Sequence, residues 1–168
     1  MNLERYFEGA QHSASKRSIL NRVLWAGIPF NGPHKLKIDA ISPESVSVLI
    51  PYKRKNLNHL KGLHACVLAT GAEYASGLVL LQHLSPKEFR LIMKSMEVEY
   101  HYQGKMDAFV KYELPRQEVE NEIIDKLKDE NKVAFTCHIK VHDKEGNHLC
   151  TSHVHWQIKR WSAVTSRT

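Results

Sequence analysis

The fold is decided by residues 60–81, which read LKGLHACVLATGAEYASGLVLL. Apolar and small residues cover nearly the whole circumference of a helix built from this stretch, which at 1.5 Å per residue is about 33 Å long. A helix without a polar face must be covered on all sides by other elements. We therefore expect a buried central helix over residues 60–82, with Pro86 marking its end.

Outside this helix, apolar and polar residues alternate with the period of two that is typical of strands. Three pairs of runs follow the pattern: 36–40 with 46–50, 89–102 with 108–114, and 133–141 with 149–158. A turn at Ser42-Pro43-Glu44 joins the first pair, a turn at Gly104 joins the second, and residues 143–147 close the third. An amphipathic helix is predicted from Pro115 onward.

One long helix and about six strands, several of them antiparallel neighbours along the chain, predict an α+β domain. An antiparallel sheet wrapped around a long central helix is the geometry of the hotdog fold. The length of 168 residues fits a single domain over residues 1–168. Residues 1–30 are expected to form an N-terminal helical extension of that domain.

Composition and charge exclude several classes of protein. With 42% hydrophobic and 25% charged residues, the chain resembles an ordinary globular domain and not a disordered tail or a fibre. The N-terminal segment carries charges where a secretory signal needs an apolar core, so a cytoplasmic location is expected. Glu73 interrupts the longest apolar stretch, so no membrane span is expected. The net charge of +6 comes without a nucleic-acid-binding motif, and we expect no nucleic-acid partner.

Cysteine and histidine spacing gives no support for a metal site. The three cysteines lack CxxC or CxxH spacing, which argues against a disulfide framework and a zinc knuckle. A three-residue loop in the last hairpin pairs position 143 with 147, which places Cys137 opposite His153 and Phe135 opposite His155. His138 then points away, no third ligand follows, and we expect no bound metal.

Glu73 is the most informative residue, because it lies halfway along a helix of Leu, Val, Ala and Gly. Burying an unpaired carboxylate costs several kcal/mol, so this side chain should reach a cleft or an interface, or be held by donors. His64 precedes it by nine residues, which is two and a half turns and about 13 Å of helix. Cooperation between the two therefore requires a second copy of the chain running antiparallel. The alternative is a structural role for Glu73 in a polar network or a dimer salt bridge.

The start of the helix carries a recognisable motif. Residues 58–66 read NHLKGLHAC, with Asn58 six residues before His64 and Glu73 nine residues after it. This arrangement resembles the helix-entry motif of the PaaI-like hotdog thioesterases, in which an Asn precedes a His-Gly-Gly and an acid follows. Here Ala-Cys stands in place of Gly-Gly and Glu in place of Asp, as in a divergent branch.

The resemblance implies hydrolysis of an acyl-CoA or acyl-carrier thioester in a tunnel at the interface of a homodimer or dimer of dimers. The N–H of Ala65 would stabilise the developing oxyanion, and Glu73 of the other subunit would act as general base or nucleophile. Asn58 would orient the water or the acid, and His64 would be a positioning donor. Coenzyme A would enter only as part of the substrate, and no other cofactor is implied.

Five further residues are candidates for contacts with the substrate or its coenzyme A: Gly62, His59, Lys53, Arg54 and Lys55. Structural explanations stand beside the functional ones. Asn58 suits a turn, His64 suits a helix N-terminus, and the basic run suits a solvated strand end. Two other functions remain open, namely a non-catalytic acyl-thioester sensor or binding module and an enoyl-thioester hydratase or dehydratase.

Overall fold

The computed structural model describes residues 3–164. Its helices are α1 (Leu3–His12), α2 (Ala14–Gly27), α3 (Asn31–His34), α4 (Ala65–His83), α5 (Arg116–Val119) and α6 (Lys126–Asp129). Short 3-10 helices cover Arg54–Asn56 and Trp161–Ala163, and a π-helical turn, Glu120–Ile124, lies between α5 and α6. The strands are β1 (Lys37–Ser42), β2 (Ser45–Ile50), β3 (Phe89–Tyr100), β4 (Ala108–Glu113), β5 (Val133–Asp143) and β6 (His148–Arg160).

The six strands form one antiparallel sheet in the order β1-β2-β4-β5-β6-β3. Helix α4 packs against β2, β4, β5 and β6, so the sheet wraps around it as the sequence predicts. Gly71 allows the closest approach, since a Cβ there would clash with Ile50 of β2 and crowd Val110 of β4. By length and composition α4 could cross a membrane, but 56% of its apolar window is buried inside the fold, as in a core helix.

The central helix begins later than the sequence predicts. It starts at Ala65, not at residue 60, and extends to His83. The five residues before it form a loop, in which Lys61 has a left-handed φ of 58° and Leu57 bridges Leu63. The apolar Leu60 and Leu63 continue the helical pattern in sequence, yet Leu60 is 62% exposed and lies outside the helix.

The predicted register of the last hairpin is wrong by one residue. Cys137 pairs with Val154, and His138 pairs with His153 instead of pointing away from it. The cause is an irregularity between Val141 and His142, which adds one residue to one side of the hairpin. Because side chains alternate faces, such a shift exchanges every cross-strand partner.

The segment around Gly104 also differs from expectation. It does not close a hairpin, because β3 lies at one edge of the sheet and β4 is separated from it by β5 and β6. Residues 101–107 instead pass beside the N-terminal end of α4, where the Gly104 carbonyl accepts a hydrogen bond of 2.8 Å from the Leu63 N–H. Before β1, the described chain from Leu3 onward forms helices α1, α2 and α3.

Candidate active site

The loop before α4 is closed by Asn58. Its side-chain Oδ1 accepts hydrogen bonds from the N–H groups of Leu60 at 2.9 Å and Gly62 at 3.0 Å, and its own N–H donates to the Gly62 carbonyl at 2.8 Å. Gly62 is buried, and a Cβ there would meet the Gln103 side chain at 2.7 Å. The Asn58 oxygen is therefore occupied in shaping the turn, while its amide nitrogen remains available as a donor. His59 lies exposed in the same turn.

His64 caps the N-terminus of α4. Its Nδ1 accepts a hydrogen bond of 3.1 Å from the Cys66 N–H, which leaves Nε2 as the protonated nitrogen in the neutral ring. The His64 carbonyl accepts from Val67 and Leu68 within the helix. Between these bonded groups, the N–H of the exposed Ala65 has no acceptor within residues 3–164. A free N–H at the positive end of a helix can stabilise a negatively charged oxygen.

Glu73 lies on α4, half-buried, about 12 Å along the helix axis from Ala65. Within the described part of the chain its carboxylate accepts no hydrogen bond and forms no ion pair. Burial raises its pKa above the ordinary value. A carboxylate with a raised pKa and no structural partner is a candidate base or nucleophile.

Glu73 opens into an apolar cavity of about 340 Å³ between α4 and β3. We call it the tryptophan pocket, and its main walls are Gly77, Leu81, Phe89, Trp156 and Trp161. Of the residues that line it in the described structure, only Glu73 and Arg90 are charged. The pocket thus places one carboxylate against a surface suited to an apolar ligand.

The basic residues form a second feature, a shallow groove lined by Lys35, Lys53, Arg54 and Lys55. Lys53 donates from Nζ to the Pro33 carbonyl at 3.0 Å, and its pKa is lowered by partial burial and by the neighbouring charges of Lys35 and Lys55. Mutual repulsion of this kind is relieved by a bound anion.

The 3-10 helix that carries Arg54 and Lys55 is tied to the start of α4. The Asn56 carbonyl, at the end of this helix, accepts a hydrogen bond of 2.8 Å from the His64 N–H. The basic groove and the free Ala65 N–H therefore belong to the same end of α4. Glu73 belongs to another part of the helix, and one chain does not bring it to Ala65.

The histidines of the last hairpin form two pairs, His138 with His153 and His142 with His148, and not a ligand set. His138 and His153 are joined by a hydrogen bond of 2.7 Å between their Nδ1 atoms, and Thr136 bonds to His155. Within residues 3–164 no group of three or more His, Cys, Asp or Glu side chains could hold a metal ion.

The comparison with protein families gives a match over most of the chain. Residues 16–158 match DUF4442, a domain of unknown function. The chain belongs to the DUF4442 family. No curated protein matches it.

Solved structures show what fold this DUF4442 domain shares. A protein of unknown function from Pseudomonas aeruginosa, described as a probable thioesterase, has a TM-score of 0.78 at 22% identity, over 85% of this chain and 95% of its own. A thioesterase from Haemophilus influenzae has a TM-score of 0.67 at 12% identity, over 90% and 94%. A protein of unknown function from Chlorobaculum tepidum has a TM-score of 0.73 at 13% identity, over 89% and 98%. At these identities the similarity establishes the hotdog fold.

Sequence reasoning missed two parts of the site in this DUF4442 domain. Lys35, which has a left-handed φ of 56° at the end of α3, also lines the basic groove. Trp161 reaches the pocket through a 3-10 helix after β6. Neither position follows from periodicity, although a tryptophan directly after a strand is a signal that could have been weighed.

Proposed function

We propose that this protein hydrolyses an acyl thioester at a site built from two copies of the chain. The observation that carries the proposal is the combination of a free Ala65 N–H at the start of α4 and an unpaired Glu73 carboxylate facing an apolar pocket. The first suits a developing oxyanion, and the second suits a base or nucleophile. The probable thioesterase from Pseudomonas aeruginosa and the thioesterase from Haemophilus influenzae share this fold and support the same reaction.

The chemistry needs both groups. The thioester carbonyl oxygen would accept the Ala65 N–H, while Glu73 takes a proton from a water whose oxygen attacks the carbonyl carbon. The carbon–sulfur bond then breaks, and the thiolate leaves with the proton held by Glu73. In the alternative route, Glu73 itself attacks, the thiolate leaves, and water hydrolyses the resulting anhydride.

A two-fold dimer would bring the two groups together, because an antiparallel partner helix places its Ala65 beside Glu73. Strand β3 supports this arrangement. It is a 12-residue strand at the edge of the sheet, and Ile92 and Met93 on it are 44% and 42% exposed. A long, partly apolar edge strand is a ready surface for pairing with another chain.

The remaining predicted residues fit supporting roles in this proposal. The basic groove with Lys53, Arg54 and Lys55 offers charge to the phosphates of coenzyme A, and Lys35 adds to it. The loop with His59 and Gly62 would then border the path between nucleotide and thioester. We further propose that the chain belongs to a divergent PaaI-like branch and acts in the cytoplasm, without a cofactor of its own.

Thiol release from a panel of acyl-CoAs tests the proposal. The parent protein should turn over at least one acyl-CoA, and Glu73→Gln should lose at least about 100-fold in rate, equal to about 2.7 kcal/mol. The matched control is Glu145→Gln, an exposed glutamate in the hairpin turn, which should retain the parent rate.

Two other results would replace the proposal. If neither protein releases thiol but an acyl-CoA raises the melting temperature, the chain is a binding module. If an enoyl or hydroxyacyl product forms without thiol release, it is a hydratase or dehydratase.

A further inference from the structure

The tryptophan pocket has a direction. Glu73, Gly77 and Leu81 are spaced by four residues and therefore lie on one face of α4, over about 12 Å of helix. Beyond Leu81, the far end is formed by Pro86 and Trp161, and the Trp161 Nε1 donates to the Pro86 carbonyl at 2.9 Å. The pocket thus begins at a carboxylate and ends at a fixed indole ring.

The side of the pocket is formed by Trp156, which lies against the backbone of α4. A Cβ at Gly77 would be 3.2 Å from the Cη2 atom of its indole, so a larger residue at 77 would narrow the space. The Trp156 Nε1 donates to the Ser76 hydroxyl at 3.1 Å, and that hydroxyl donates to the Glu73 carbonyl at 2.9 Å. These bonds fix the indole and satisfy its polar atom, which leaves its hydrocarbon edge for a ligand.

A second, independent feature is the hydroxyl of Tyr74, which also lines the pocket. Tyr74 is 3% exposed, and its hydroxyl has no hydrogen-bond partner in the described structure. A buried hydroxyl without a partner is costly, and an oxygen of a bound ligand would supply the missing acceptor. The donor belongs to the residue next to Glu73. The polar groups therefore lie together at the Glu73 end of the pocket, and the wall along α4 toward Leu81 is apolar.

We propose that the tryptophan pocket binds the acyl chain of the substrate, that it selects apolar chains of medium length, and that Trp161 sets the length limit. The inference rests on the proposed function, because it places the thioester at Glu73. An extended chain advances about 1.2 Å per bond, so about 12 Å holds a chain of about ten carbons. Short polar acyl groups would leave the apolar walls uncovered.

The test is binding of straight-chain acyl-CoAs, from acetyl to palmitoyl, to the Glu73→Gln variant, followed by tryptophan emission and calorimetry. Each added methylene contributes about 0.8 kcal/mol, so the affinity should rise about fourfold per carbon and level off near ten carbons. Trp161→Ala removes a side chain that is 48% exposed, so the fold should tolerate it, and the levelling point should move to longer chains.

Trp25→Phe is the matched control, because Trp25 bonds to the Leu36 carbonyl and does not line the pocket. It should lower the background emission and leave the chain-length profile unchanged. A flat profile, or an equal effect of the two tryptophan variants, would overturn the inference. So would emission that depends on protein concentration and not on ligand, since the pocket would then be a contact between copies.

The binding profiles and the thiol-release assay together separate the acyl pocket from the proposed hydrolysis. A chain-length profile with its limit at Trp161, but no thiol release from the parent protein, supports the acyl pocket and refutes hydrolysis. Thiol release that is independent of chain length supports hydrolysis and refutes the acyl pocket.

Discussion

Replacement of Ala65 by proline removes one atom that the proposed reaction needs and little else. Ala65 is the first residue of α4, a position whose N–H has no partner within the helix. Proline is favoured there, and the preceding His64 already has the extended ψ of 138° that a following proline requires. The substitution should therefore spare the fold, whereas proline in a helix interior costs about 3 kcal/mol.

The expected loss follows from the role of the N–H. Removing one oxyanion donor costs about 100-fold to 1,000-fold in kcat, or about 3 to 4 kcal/mol. Ala65→Pro should thus lose that much activity while its melting temperature stays within about 2 °C of the parent. Thiol release and thermal unfolding measure the two quantities.

Ala65→Val is the matched control, because it adds bulk similar to that of proline and keeps the N–H. It should retain most of the activity. If Ala65→Pro is as active as Ala65→Val, the Ala65 N–H does not stabilise the transition state, and the reasoning is refuted.

Four other predictions follow from burial and packing. Because burial raises the Glu73 pKa, kcat/KM should fall on acidification with an apparent pKa above the ordinary glutamate value of about 4.3. An apparent pKa at or below that value in the acidic limb of the pH profile would contradict this. The raised pKa also means that the folded state binds the Glu73 proton more tightly than the unfolded state does, so the stability of the folded state falls as the pH rises through the folded pKa. Glu73→Gln should therefore be more stable than the parent at neutral pH but not at pH values below both pKa values, as thermal unfolding would show. Tyr74→Phe should raise the stability by about 1 kcal/mol, or about 3 °C in Tm, because the hydroxyl lacks a partner in the described residues, and a lower Tm would argue against this. Gly71→Ala should lower the free energy of unfolding by about 1 to 3 kcal/mol, because the added Cβ clashes with Ile50. Gly27→Ala, whose added Cβ has nothing within 4 Å, should cause no such loss. Equal denaturation midpoints for the two variants would show that α4 can shift away from Ile50.

The fold was largely predictable, because its signals are long and periodic. Alternation identified all six strands to within a few residues, and the apolar stretch identified the helix around which they wrap. The start of that helix was not predictable from periodicity, since Leu60 and Leu63 continue the apolar pattern into a loop. The loop forms because the Asn58 side chain bonds to two backbone N–H groups and Lys61 turns left-handed.

The hairpin register failed for a different reason. One extra residue on β6, Leu149 between His148 and Cys150, leaves the alternation on β5 intact but shifts the pairing between the strands. Local patterns report the faces of a strand and not its partners. His138 and His153 therefore meet, although the simplest loop places them apart.

The candidate site was predictable only in part. Glu73 stands out because a carboxylate in an apolar helix is costly, and the motif from Asn58 to Ala65 precedes it at a recognisable spacing. The pocket beside Glu73 depends on Trp161 and on residues of β3, which come together only through the order of strands in the sheet. Long-range contacts of this kind leave no local pattern.

A site shared between two chains is tested most directly with a purified heterodimer of Glu73→Gln and Ala65→Pro subunits, obtained by co-expression with two different affinity tags. Each variant alone should be nearly inactive. In the heterodimer one site combines the intact Glu73 of one subunit with the intact Ala65 N–H of the other, so thiol release should return to about half of the parent rate per dimer. A heterodimer as inactive as the two single variants would contradict the shared site.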